Sequence, residues 1–339
     1  MAVFACAGCG AELTAPVSRV ALPVQAHQSY GDRFLPPLME PGTYAVDPEP
    51  YGPPWRYGDE TGADEPAAPG VYAPVGAVSF GPAGHILLAP GNTRGTVVIP
   101  ERCDGCCGSD GGLGPNLACA ACGLPVATRI DDCYLWQAVW LAPDAVLRLP
   151  VDGPPLPATG WEWAGIPPID PTGYWSPRWA AAVGIALAHV LAASAGARVA
   201  VPRGLLATAF GPTLDALLPP GPPVRTLALA GPGLPAPGAD LVLVPRHPVT
   251  GEVWRPDGPA AAVPLDAEVW AHLAFPDGGA RIPATGGLPA GVQRDDPLPP
   301  SPPAGFRPDR ALFVHTLARL PAVREPWLRS VYDKARGRY

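Results

Sequence analysis

Lysine is almost missing from this chain: Lys334 is the only lysine among 23 basic residues, and the rest are arginine. A net positive charge is missing as well. The formal charge of −7 excludes a domain-wide basic footprint for nucleic acid. The opening MAVFACAGCG has no cationic start, and its apolar run breaks at once into cysteines and glycines, so no secretory leader is expected. Nor is there a run of about 20 strongly apolar residues of the kind a membrane span requires. The longest apolar segment, 179–195, is mostly alanine with His189 and Ser194 inside it, and a soluble helix is expected there. Catalytic signatures are scarce. The chain holds no H-E-x-x-H, no G-x-S-x-G and no Walker loop. A deaminase-like H-x-E with P-C-x-x-C is also lacking.

What is present points to a folded protein with many rigid loops. The 339 residues include 51 prolines and 40 glycines, yet 47% of the chain is hydrophobic. That length suggests two domains. Charge is uneven: residues 1–65 carry nine acids against Arg19, Arg33 and Arg56, and residues 303–339 carry eight cations against three acids. The basic end reads as a solvated helix whose last residues after Asp333 add little packing. The sharper alternative is a tail that docks an acidic partner or nucleic acid, the latter disfavoured by the overall acidity.

The N-terminal part reads as β-rich. RVALPV (19–24) is a candidate strand, and residues 31–75 form a Pro/Gly/acid-rich insertion with a loop near 58–70. HILLA (85–89) and GTVVI (95–99) flank PGNTR as one hairpin, and LWQAVWL (135–141) and AVLRLP (145–150) flank APD as another. Alternation places Trp136, Ala138 and Trp140 on one face. Residues 151–175 are a Pro/Trp-rich connection whose Trp161, Trp163 and Trp175 suit a packed interface or, alternatively, an aromatic ligand wall. After it the period changes to that of helices. Ser176 and Pro177 suit a helix start, with Trp179, Val183, Leu187, Val190 and Leu191 on one face and Gly196 as the stop. Gly211-Pro212 is expected to kink or split the next helix. RVAVP, RTLALA and DLVLVP read as strands, and three further helices follow. AGPGLPAPG (230–238) follows a strand, but its prolines remove the backbone donors a phosphate loop needs.

Eight cysteines carry the argument: 6, 9, 103, 106, 107, 119, 122 and 133. C-x-x-C sets two thiolates on one tight turn, and a glycine after the second cysteine supplies the positive φ that turn requires. Cys6-Ala-Gly-Cys9-Gly10 and Cys119-Ala-Ala-Cys122-Gly123 both meet that rule. They resemble the two knuckles of a zinc ribbon, and the resemblance covers about twenty residues. It implies one Zn²⁺ shared by Cys6, Cys9, Cys119 and Cys122. Cys103, Cys106, Cys107 and Cys133 then remain for a second site. The rival pairing is local, joining Cys103 and Cys106 or Cys107 to Cys119 and Cys122, because a shorter loop costs less to close. A redox pair and an iron site are further alternatives. The composition otherwise looks like that of a GC-rich, actinobacterial genome.

No histidine lies within a knuckle; His27 and His85 are the nearest in sequence. A catalytic zinc usually has histidine or carboxylate ligands and an open position, so a closed structural ion is expected. The acid pairs Asp131–Asp132 and Asp295–Asp296 have no evident catalytic partner, and the first is expected to cap a turn or face solvent.

The sequence therefore predicts a mixed α+β protein: a β-rich zinc-binding domain over 1–150, a connection over 151–175, and an α/β domain over 176–339 with a basic helical C-terminus. The expected role is a non-catalytic interaction or scaffold protein in the cytoplasm, with a protein partner and neither nucleic acid nor membrane. The alternative is an enzyme with its pocket between the halves.

Overall fold

The computed structural model describes residues 1–31, 34–57, 70–153, 160–161, 163–170, 173–276 and 304–337. Most of the expected loop near 58–70, parts of the 151–175 connection and the pair Asp295–Asp296 lie outside them. Strands concentrate in the N-terminal half and helices in the C-terminal half, a mixed α+β fold. Two units divide the chain: Met1–Ala158 with Pro248–Gly251, and Thr159–His247 with Glu252–Tyr339.

In the first unit the strands are β1 (Ala2–Cys6), β2 (Ser18–Arg19), β3 (Thr43–Pro50), β4 (Trp55–Tyr57), β5 (Ala77–Ser79), β6 (Ala83–Leu88), β7 (Thr96–Val98), β8 (Leu117–Cys119), β9 (Pro125–Ile130), β10 (Ala138–Leu141) and β11 (Val146–Pro150). Seven of them form one sheet in the order β2-β3-β6-β10-β9-β8-β7, antiparallel except for β2 with β3. β1 pairs antiparallel with β11, and β4 with β5.

The period of two sorts side chains to the sheet's faces. Tyr44, Ile86, Leu88, Val139 and Leu141 join Phe4 and Val146 of the β1–β11 ribbon in one core. Phe4 meets Tyr44 edge to face at 5.1 Å. Ala45, Leu87, Trp136, Ala138 and Trp140 join Leu35, Leu38 and Met39 in a second core. The expected common face of Trp136, Ala138 and Trp140 is present.

Neither expected hairpin forms. β6 is flanked by β3 and β10, while β7 lies at the far edge beside β8. β10 pairs with β6 and β9, and β11 leaves to pair with β1. The reason is burial. β6 and β10 are apolar toward both faces and need partners on both sides, whereas β11 buries only Val146. The expected strand over 19–24 shrinks to its first residue, at the end of β2.

The second unit contains β12 (Arg198–Ala200), β13 (Val224–Leu229), β14 (Leu241–Arg246) and β15 (Ala261–Asp266), all parallel and in sequence order. Its helices are α1 (Pro177–Ser194), α2 (Leu205–Leu217), α3 (Ala267–Ala274), α4 (Arg310–Arg319) and α5 (Pro326–Arg336). α2 supplies the crossover between β12 and β13 that parallel strands require. α1 starts at Ser176 and Pro177 and stops where Ala195 turns left-handed, followed by Gly196 at φ 82°. α1 is long and apolar enough to span a membrane by length and composition, yet 72% of it is buried inside the fold.

α2 runs through Pro212 without the expected split. Pro212 and Thr208 are both exposed, so the Thr208 carbonyl that loses its partner faces water. At the C-terminus, α5 buries Leu328, Val331 and Tyr332. The Arg310 guanidinium donates to the carbonyls of Ala335 and Arg336 at 2.7 and 3.1 Å. The residues after Asp333 are thus tied to α4, a closer attachment than a solvated tail implies.

Candidate metal centres

Two sulfur clusters arise in the first unit, and the first is built from matching turns. β1 ends at Cys6 and β8 ends at Cys119, so each knuckle begins where a strand stops. The Cys6 amide donates to Ala11 O and the Gly10 amide to Cys6 O, both at 2.8 Å. The Cys119 amide donates to Leu124 O and the Gly123 amide to Cys119 O, again both at 2.8 Å. Gly10 and Gly123 take φ 77° and 78°, the left-handed conformation that closes the turn without a Cβ penalty. Each knuckle is the tip of a hairpin-like turn, between β8 and β9 in one case and between β1 and residue 12 in the other.

A short segment ahead of β7 aligns the two tips. The Arg94 amide donates to Leu13 O at 2.7 Å, and Gly95 O accepts the Ala120 amide at 2.8 Å. Gly95 has φ 58°, and a Cβ there would come within 3.0 Å of the Glu12 carbonyl. Residues 94 and 95 therefore hold one knuckle against the other. Cys6 Sγ lies 3.6 Å from Cys122 Sγ, and Cys9 Sγ 3.7 Å from Cys119 Sγ. A disulfide needs about 2.05 Å, so these are free thiols. All four sulfurs lie within 4.8 Å of one another and are placed to hold a metal ion; Cys6 and Cys119 are buried, Cys9 and Cys122 exposed.

The turn amides also tune the sulfurs. The Ala121 amide, and after it that of Cys122, brings Cys119 down to about 7 against the effect of burial. The Leu124 amide acts likewise on Cys122, but the Cys6 and Cys9 thiols and burial outweigh it and push Cys122 up to about 12.

The second cluster joins Cys106, Cys107 and Cys133 to Asp132. Cys106 Sγ lies 3.1 Å from Cys133 Sγ, 3.7 Å from Cys107 Sγ and 3.6 Å from Asp132 Oδ1. Asp132 is 1% exposed and accepts the amides of Cys106 at 3.1 Å and Cys107 at 2.7 Å. Burial alone would raise its pKa; the amides of Cys107, Cys133 and Cys106 more than offset this and hold the carboxyl below its usual range. Cys106 is pushed up to about 12, by the Cys133 thiol first and Cys107 next. Cys103 stands outside this group, its thiol 3.7 Å from Ile99 O. Asp132 is the residue that sequence reasoning passed over as a donor. Its position beside Cys133 was the available signal, and it caps a turn while buried.

His27 and His85 belong to neither cysteine group. His27 Nε2 lies 3.0 Å from Oδ2 of the fully buried Asp47 on β3. His85 on β6 is the cross-strand partner of Asp47 and is itself buried. Compared with known proteins, the chain matches no family model, no curated protein and no solved structure.

Proposed function

We propose that Cys6, Cys9, Cys119 and Cys122 bind one structural Zn²⁺ in a zinc-ribbon-like site, and that the protein so stabilised is a non-catalytic interaction or scaffold protein. One observation carries the reading: two knuckles with the same hydrogen bonds, more than 100 residues apart, face each other with sulfurs 3.6 and 3.7 Å apart. A tetrahedral ion with Zn–S bonds of about 2.3 Å requires sulfur–sulfur edges of about 3.8 Å. Four thiolates leave no open coordination position, which argues for a structural role. Zn²⁺ has no redox chemistry and no geometric preference of its own, which suits a cage shaped by two backbone turns. Eight free thiols favour a reducing compartment such as the cytoplasm. The acidic net charge favours a protein partner over nucleic acid.

Metal content and stability test this reading. Cys9→Ser and Cys119→Ser should each release the same single zinc and lower the melting temperature to a similar, large extent. Zinc binding contributes on the order of 10 kcal/mol in small zinc modules. A Cys9→Ser protein that keeps both its zinc count and its melting temperature would reject the shared ion. Visible absorption from a thiolate-bound iron would reject zinc while keeping the cage.

A further inference from the structure

We propose that Cys106, Cys107, Cys133 and Asp132 form a second metal site of a different kind: an exposed, exchangeable S₃O site for a d¹⁰ dication, Zn²⁺ or Cd²⁺.

Geometry is the first support. Bonds of about 2.3 Å to sulfur and about 2.1 Å to oxygen give tetrahedral edges of about 3.8 Å between sulfurs and about 3.6 Å between sulfur and oxygen. The Cys106–Cys107 edge is 3.7 Å, the Cys106–Asp132 edge 3.6 Å and the Cys106–Cys133 edge 3.1 Å. All four donor atoms lie within 4.8 Å of one another. The amide that Asp132 Oδ1 accepts from Cys107 leaves that oxygen a further lone pair for a cation.

The scaffold is the second support, because protein hydrogen bonds hold it. Both Asp132 oxygens hold the loop through the amides of Cys106 and Cys107. Asp131 Oδ1 accepts the Ser109 amide at 2.9 Å, and its other oxygen pairs with Arg129 at 2.6 Å. A Cβ at Gly105 would lie 2.7 Å from Asp132 Oδ2, and one at Gly108 would lie 2.6 Å from Asp131 O. The two glycines let the loop close onto the two acids. Donors held by protein hydrogen bonds stay in place when the ion leaves. In the first centre an ion would join chain segments more than 100 residues apart.

Exposure is the third support. In the first centre two sulfurs are buried; here Cys106 and Cys107 are exposed, Cys133 is half-buried, and the one buried donor is the carboxylate. Thiolates select soft and borderline cations, and the single hard oxygen makes this donor set the weaker of the two for them.

The test uses the full chain, purified anaerobically with a reductant and loaded with zinc. Two zinc ions per chain are expected, one passing rapidly to a chromogenic chelator and one retained. Cys107→Ser, Cys133→Ser and Asp132→Asn should each lose the fast ion, or weaken it at least tenfold, with the slow ion kept and the melting temperature within a few degrees of the parent. Cys107 is exposed, so its variant remains informative if Cys133→Ser fails to fold. Cadmium titration should show thiolate-to-metal charge transfer that Cys107→Ser diminishes. A fast ion that survives Cys107→Ser, or a chain that binds one ion only with or without Cys107, would overturn the proposal. So would a Cys106–Cys133 disulfide in the reduced preparation. Cys9→Ser removes the slow ion alone, so failure of the first centre and failure of the second are read separately.

Discussion

At the scale of single residues, glycine decides where the loops can go. Gly108 has no room for a side chain, because a Cβ there would meet the Asp131 carbonyl oxygen at 2.6 Å and its Oδ1 at 2.9 Å. The nearest obstacle is backbone and cannot swing aside. Gly108→Ala should therefore cost about 1–3 kcal/mol in urea unfolding, as overpacking does, and should lose the rapidly exchanging ion. Gly91→Ala is the control: a Cβ there meets nothing within 4 Å, and the change should stay within about 0.5 kcal/mol. Equal effects from the two would remove the steric account. The knuckle glycines were legible in the sequence, since CxxCG encodes its own turn. The need for Gly105 and Gly108 was not, because it comes from acids more than twenty residues away in the chain.

Among the elements, the helices α1 and α2 respond to alanine in opposite directions. Pro212 sits inside α2 on its exposed side and denies the Thr208 carbonyl an intrahelical bond. Pro212→Ala restores that bond and should stabilise the protein by about 2 kcal/mol, the helix gain of roughly 3 less the entropy that proline removes from the unfolded chain. Gly184 looks equally out of place within α1. Yet a Cβ there would collide with the carbonyl oxygen of Asp309, the residue that caps α4 by accepting the Leu312 amide. The Asp309 amide in turn donates to Ala180 O at 2.8 Å. Gly184→Ala should destabilise despite alanine's better helix propensity, because it pushes α4 off α1. Thermal melts of the two variants give the signs directly, and a stabilising Gly184→Ala would show that the helices can separate at no cost. The helix periods and the α1 boundaries were readable from local chemistry; which glycine marks a close helix crossing was not.

For the whole molecule, the histidines set a dependence on pH. Burial lowers the pKa of His85 in the first unit and of His189 and His272 in the second. Around His85, the Pro82 carbonyl, Asp47 and Asp144 favour the charged ring, yet burial outweighs them. Tyr51 packs against it edge to face at 5.4 Å. A base with a depressed folded-state pKa binds its proton more readily when unfolded. Stability is therefore complete above the unfolded value of about 6.5 and is lost as pH falls below it toward the folded value. The melting temperature should fall between pH 7.5 and pH 5. Proton competition for the thiolates acts in the same direction, so the His85 share is the part that His85→Gln removes at constant zinc content. A pH profile unchanged in His85→Gln would remove His85 from the account and leave His189, His272 and metal loss.

What the sequence determined by itself is what depends on near neighbours. The turn of each knuckle, the alternation that puts Trp136, Ala138 and Trp140 on one face, the start of α1 at Ser176 and Pro177, and the strands β13 and β14 all follow from residues a few positions apart. Which strands become neighbours depends on distant burial. β6 and β7 read as a hairpin by proximity, but β6 is apolar on both faces and is taken by β3 and β10. β15, with a proline at its fourth position, carried too little pattern to be read as a strand at all. Only the tertiary structure placed Asp132 among the thiols and left Cys103 outside them. A donor set is a local volume in space, and the chain enters that volume from segments whose sequences contain no mark of one another.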